Sequence, residues 1–306
     1  MIKRRENPLL HYHLFGFTVN RWKRQPVLYG AVAVGMGLTY LLVFQMFRTY
    51  EASLEATLNL SLFVMCLTAP LMAYNSFSLE YEKGTWESLA LTRLTAGEIL
   101  WGKWGAALAR VALLTLLLTP MLFIATELKI KLDGPLLGRF ITVVEPTYEL
   151  YKFVFGVALL FSWGALLVSL GVWLSFRLKR TISTASALYA GQLLVLALLP
   201  TLFAIFEIDT RYSIQDSLSS VNSFRDGFYW WLNAAFSPVV IFYLNPFYTT
   251  STLDSVVSRT YYPYEYVDTV QCIYVGWGLT QSAIYLSWAI FFAGIAYRGV
   301  KTKWRK

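Results

Sequence analysis

The chain alternates long apolar runs with short polar connections. A bilayer core about 30 Å thick needs about 20 predominantly apolar residues in helical form. Six runs reach that length: 27–47, 56–78, 104–126, 152–174, 183–206 and 273–297. None has an acidic residue at its centre. Pro70, Pro120 and Pro200 fall inside the second, third and fifth runs, where neighbouring helices can satisfy the freed carbonyls. A seventh stretch, 229–250 (YWWLNAAFSPVVIFYLNPFYTT), is nearly as apolar but is interrupted by Asn233, Pro238, Asn245 and Pro246. The pattern predicts an all-α polytopic membrane protein. Residues 27–306 are expected to form one transmembrane domain of six spans, with the basic segment 1–26 before it.

Composition agrees with this pattern. The chain is 57% hydrophobic and 14% charged, against about 25% charged for a soluble domain. Mean hydropathy is +0.50. The net charge of +8 does not point to nucleic acid, because Lys and Arg lie in short clusters between the apolar runs. Such clusters are a topology signal. Lys3, Arg4, Arg5, Arg21, Lys23 and Arg24 precede the first run, and Arg298, Lys301, Lys303, Arg305 and Lys306 follow the last. Lys83, Arg93 and Lys103 lie in 79–103, and Arg177, Lys179 and Arg180 in 175–182. Both termini are therefore expected in the cytoplasm, with an even number of spans. Residues 229–250 are then expected to dip into, or lie along, the outer leaflet within an outer loop 207–272. Its aromatic clusters YWW and YYPYEY suit the headgroup level. No cleavable signal peptide is expected, since the first apolar run is itself long enough to span. Cys66 lies in one span and Cys272 at the start of another, so a disulfide between them is not expected.

Chemistry concentrates in the inside loop 79–103. Gly97-Glu98-Ile99-Leu100-Trp101-Gly102-Lys103 matches the first seven positions of the phosphate-binding pattern G-x-x-x-x-G-K-[ST]. That loop works through small residues whose N–H groups cradle phosphate between a strand and a helix. Here the inner residues are bulky, one is an anion, and Trp104 stands where a metal-binding hydroxyl is required. No nucleotide site is expected. The loop reads instead as a short amphipathic helix: Gly84 turns the chain, Thr85 caps, and Glu87 lies in the first turn. Trp86, Leu89, Ala90 and Leu94 recur at helical spacing, with Glu87, Ser88, Thr92 and Arg93 on the other side. Thr95 with Glu98 forms a capping-box pattern that starts the next helix.

Inside the spans, polar residues are few. Arg110 lies two turns, about 10 Å, beyond Lys103. A cation at mid-bilayer costs ~3 kcal/mol, so Arg110 is expected to snorkel to the inner headgroups or to pair or line a path. Gln192 and Gln281 are expected to tie helices together or to face a dimer interface or pathway. His11 and His13, two residues apart, fall on different helix faces and do not read as a metal site. Glu207, Asp209 and Asp216 read as solvated. No catalytic constellation is present.

The stretch EYEKGTWESLALTRLTAGEILWGKW (80–104) closely resembles the signature of the ABC-2-type transporter permeases. In that family an acidic pair, a Gly-Thr, a Glu-x-Leu, a Leu-Thr and a Gly-Glu-Ile-x-x-Gly-Lys occur in this order between spans two and three. NPLLHYHLFGFTVNRWKR (7–24) resembles the family's amphipathic connecting helix, which implies that 1–26 is a cytoplasmic, interfacial segment lying along the membrane before span one, although HYHLFG replaces charged residues common there. LNPFYTT (244–250) resembles its outer re-entrant region. The resemblance implies a permease that pairs as a homodimer or heterodimer and is driven by two copies of a separate ATP-binding subunit. ATP and magnesium would belong to that subunit, and no cofactor is expected in this chain. It implies coupling roles for Glu80, Glu82, Gly84, Thr85, Trp86, Glu87, Leu91, Thr92, Gly97, Glu98, Gly102 and Lys103. The loop at Arg177, Lys179 and Arg180 would be a second cytoplasmic contact. The implied location is the plasma (inner) membrane of a prokaryote. Two other readings stay open. One is a non-transporting transducer acting on an extracytoplasmic partner through 207–272. The other is an ATP-independent channel or carrier, whose paired broken-helix repeats are not evident.

Overall fold

The structure, a computed structural model, describes residues 54–91, 94–125, 130–133, 140–143, 147–198, 245–247 and 267–304, with Val34, Gly37 and Leu41, which are helical. The named helices are α1 (Leu54–Ala73), α2 (Ser78–Glu82), α3 (Trp86–Ala90), α4 (Ala96–Ala125), α5 (Thr147–Leu178), α6 (Thr181–Leu193) and α7 (Val267–Trp304). Among the described residues, five helical stretches are long and apolar enough to cross a membrane: Ala56–Glu82, Ala96–Phe123, Phe153–Leu178, Thr181–Leu198 and Gly278–Thr302. They coincide with the second to sixth runs, the architecture of a multi-pass membrane protein. The first run is described only at Val34, Gly37 and Leu41. The segment 1–26 and most of the expected outer loop 207–272 lie outside the described residues.

The helices run longer than the apolar stretches. α4 begins at Ala96, eight residues before the apolar run, because Thr95 and Glu98 build the expected capping box: the Thr95 amide donates to Glu98 Oε2 at 2.7 Å, and the Glu98 amide to Thr95 Oγ1 at 3.3 Å. α5 continues to Leu178 and α6 starts at Thr181. The expected loop 175–182 therefore shrinks to Lys179 and Arg180. One short departure from helix appears between α4 and α5, where β1 (Ile130–Asp133) pairs antiparallel with β2 (Phe140–Val143).

α5 is the hub. It packs against α7, α4, α1 and α6, and Leu159, Leu160, Trp163, Leu167, Val168 and Val172 are buried along it. Lipid is as apolar as leucine, so spans associate through close packing rather than hydrophobic exclusion. Glycines provide the approach. A Cβ on Gly164 of α5 would lie 2.6 Å from Val111 Cγ1 on α4 and 2.9 Å from Met65 Sδ on α1. A Cβ on Gly171 would lie 2.8 Å from the Ala73 Cβ, and one on Gly278 of α7 would overlap the Phe155 ring. Hydroxyls satisfied inside their own helices, such as Thr115 and Ser169, add no polar cost.

These contacts fix helix directions. Gly171 meets Ala73 and Leu188, while Gly156 meets Leu58 and Leu122. α1, α5 and α7 therefore run toward one end of the bundle, and α4 and α6 run away from it. That end carries Lys83, Lys103, Arg177, Lys179, Arg180, Arg298 and Lys301 and is called the basic end below. Toward the opposite end, α6 passes into a π-turn at Leu194–Leu198. The buried Asn245 donates to Leu196 O at 3.3 Å and accepts the Phe247 amide at 3.1 Å. This joins residues 245–247 to the π-turn that follows α6.

Candidate functional site

At the basic end the chain leaves α1, makes α2, turns at Gly84, makes α3 and enters α4. The turn is a Schellman motif: the Thr85 amide donates to Glu80 O at 2.9 Å and the Gly84 amide to Tyr81 O at 3.3 Å. Gly84 sits at φ +67° in the left-handed region, where a side chain is strained. Thr85 occupies the N-cap position of α3, but its side chain makes no cap bond. The capping role expected for its hydroxyl is therefore corrected. The preceding turn has already folded over the helix start, and Thr85 Oγ1 lies 3.5 Å from Glu80 O.

α3 presents two faces, as its spacing predicts. Trp86, Leu89 and Leu94 pack on the core, whereas Glu87, Ser88 and Leu91 are exposed, Leu91 at 88%. Thr92 and Arg93 lie outside the described residues. Trp86 stacks on Tyr81 with ring centroids 5.0 Å apart and meets Phe77 and Phe176 edge-on at 6.1 Å each. Phe176 is near the end of α5, so α3 bears directly on the hub helix. A Cβ on Gly299 of α7 would lie 2.6 Å from the Phe176 ring, which brings the last span to the same cluster.

Polar bonds cross between elements here. Ser175 Oγ of α5, fully buried, accepts the amides of Phe77 (2.7 Å) and Ser78 (2.9 Å) and so caps α2 from another helix. Lys103 of α4 is buried and donates to Ser76 O and to Glu80 Oε1. Its Nζ also lies 4.9 Å from the centroid of the Phe77 ring. The second Glu80 oxygen is buried without a hydrogen-bond partner. Glu82 Oε1 accepts the Thr181 amide at 2.7 Å and the Thr181 hydroxyl at 2.9 Å. Arg180, at the N-cap of α6, gives no side-chain cap, and Glu82 supplies it. Lys179 holds a left-handed φ of 58° and places Nζ 5.7 Å from the Tyr81 ring centroid.

Most of the residues expected in coupling thus converge. Glu80, Glu82, Gly84, Thr85, Trp86, Glu87 and Leu91 form one element, which meets Lys103 on α4 and Lys179 at the α5–α6 turn. Gly97 lies near Tyr297 of α7, and Glu98 serves the α4 cap. Gly102 is buried. Gly97–Lys103 is helical throughout, with Lys103 turned inward onto Glu80 rather than toward a phosphate. Arg177 and Arg180 are exposed beside the α5–α6 turn. Ser76, Ser175, Phe176 and Thr181 also build the site. No spacing signal distinguishes them, because their partners lie far away in sequence.

Arg110, Gln192 and Gln281 lie elsewhere, on three different helices. Arg110 is exposed on the flank of α4 and approaches Met72 O on α1 at 3.4 Å. Gln281 is buried in α7 and donates to Tyr285 Oη at 2.8 Å. Gln192 is buried in α6, with its amide nitrogen unpartnered. Among the described residues no group of three or more His, Cys, Asp or Glu is placed to hold a metal ion. The chain matches no protein-family model and no curated protein.

Proposed function

We propose that this chain is the transmembrane permease subunit of an ABC-2-type exporter, moved by a separate ATP-binding subunit seated on α3 and the α5–α6 turn. One observation carries the reading. α3 is anchored inward by Trp86 against Tyr81, Phe77 and Phe176, yet presents Glu87, Ser88 and Leu91 outward. A passive connector needs no such arrangement. A docking lever needs both an anchor on the moving helices and an apolar contact left for a partner. Arg177, Lys179 and Arg180 supply a second, basic contact nearby. The sequence resemblance of residues 80–104 points the same way.

In this reading the basic end is cytoplasmic, residues 27–47 form the first of six spans, and both termini lie inside. Two permease chains pair, and two ATP-binding subunits, which hold ATP and magnesium, dock beneath them in the inner membrane of a prokaryote. Nucleotide shifts the permease only as far as its subunit contacts the two conformations differently. α3 is where that difference enters.

Co-expression with the ATP-binding protein encoded nearest this chain tests the reading. The expected result is a complex of two and two chains that hydrolyses ATP, with a Glu87→Cys variant cross-linking to the ATP-binding subunit. ATP hydrolysis by this chain alone, or labelling of Glu87→Cys only from the extracytoplasmic face, overturns it.

A further inference from the structure

We propose that α2 is a yoke with two separate arms, in which Glu80 positions α4 through Lys103 and Glu82 positions α6 through Thr181. The source of force rests on the permease reading above; the path rests on geometry. Glu80 and Glu82 are two residues apart, so their side chains leave α2 about 200° apart around its axis. Each meets the opening turns of a different span. Glu80 takes the buried Lys103 ammonium, which also donates to Ser76 O just before α2. Glu82 takes the Thr181 amide and hydroxyl, a carboxylate at a helix N-terminus, where negative charge is favoured.

Both target spans start at this end, and both pack on α1 and α5. The yoke itself is fastened to α5, because Ser175 holds the first amides of α2 and Phe176 packs against Tyr81 at 6.2 Å. A push on α3 is therefore resolved into three attachments of different chemistry: hydroxyl and aromatic contacts to the hub, an ion pair to α4, and a carboxylate cap to α6. Losing one arm should disconnect one span and leave the other attached. Glu80, Lys103, Glu82 and Thr181 are positioning residues, acting on the spans and not on cargo.

Hydrogen–deuterium exchange of the full chain in lipid nanodiscs separates the arms. In the chain alone, Glu82→Ala should speed exchange of amides 181–185 about tenfold while leaving 96–103 unchanged. Glu82→Gln, which keeps an acceptor, should restore most of the protection. The neutral pair Glu80→Gln with Lys103→Met, which leaves no buried charge behind, should loosen 96–103 and spare 181–185. In the complex with the ATP-binding subunit, a non-hydrolysable ATP analogue should alter protection in both segments of the native chain. Glu82→Ala should abolish the response at 181–185 and keep that at 96–103; the neutral pair should do the reverse. A bond that only stabilises would change basal exchange without this selective loss. Equal loosening of both segments by either variant, or joint loss of both responses, overturns the proposal. Failure to bind any ATP-binding subunit overturns the permease reading, while the exchange pattern of the chain alone still decides whether the arms are separate.

Discussion

The middle of the bundle and its basic end are held together by different means. In the middle, α1, α4 and α5 meet mainly by close approach at glycines, Gly164 against Val111 and Met65 and Gly171 against Ala73, with single bonds between them from Trp163 Nε1 to Cys66 Sγ at 3.2 Å and from Trp104 Nε1 to Ser169 Oγ at 2.8 Å. At the basic end α2 is tied to α4, α6 and α5 through directed bonds, Lys103 to Glu80, Thr181 to Glu82 and the first amides of α2 to Ser175. Shape-fitted contacts have one arrangement and lose energy steeply when it is disturbed. Directed bonds can be broken at one partner and remade at another. The middle is thus suited to keep its packing, and under the proposed permease function the basic end is where discrete rearrangement would begin.

Five predictions test this contrast, taken from the largest expected effect. Lys103→Ala leaves the Glu80 carboxylate buried without a counter-charge and should cost ~3–5 kcal/mol, read as a large fall in melting temperature in detergent. Adding Glu80→Gln should recover most of the loss; an unchanged single variant would mean that the pair is effectively solvated. Gly164→Ala forces a methyl against Val111 and should cost ~1–3 kcal/mol by chemical denaturation in mixed micelles. Gly191→Ala, with open space at its Cβ, should instead stabilise by up to ~1 kcal/mol. Equal effects at the two glycines would remove the claim that shape holds the middle. Glu82→Ala removes a cap and should cost ~1 kcal/mol in the same assay. Gly84→Ala puts a side chain at φ +67° and should cost ~1 kcal/mol; under the proposed permease function it should also reduce ATP-driven transport more than membrane insertion. Leu91→Ser should change stability by less than ~0.5 kcal/mol yet, under the proposed permease function, weaken co-purification of the ATP-binding subunit.

Much of the helix layout was legible from sequence. Apolar length alone located five helices that the structure describes, because a span must satisfy its own backbone and cover about 30 Å. The start of α4 was legible from Thr95 and Glu98, since a capping box is a local bond between residues three apart. The outward face of α3 was legible from Glu87 and Ser88. The role of Thr85 was misread because a local pattern proposed a cap that the Schellman turn of α2 had already displaced. Lys103 was read as an inside-loop cation, yet it is buried on Glu80, because residue type gives charge but not the partner that cancels it. The loop 175–182 was drawn too long, since Ser175, Phe176 and Arg177 extend α5 even though the apolar run has ended.

Composition, length and local caps determined that this chain is a bundle of membrane-length helices, with a short two-faced helix between the second and third apolar runs. Those properties depend on each segment's own backbone and its solvent. Which side of each long helix is inside was settled only in three dimensions. On α1, Leu60, Phe63, Leu67 and Leu71 are exposed while Leu58, Leu62, Met65 and Ala69 are buried, although both sets are apolar. Lipid and protein interior reward the same side chains, so the choice falls to close approach at glycine and to bonds between residues about a hundred positions apart, such as Glu82 with Thr181.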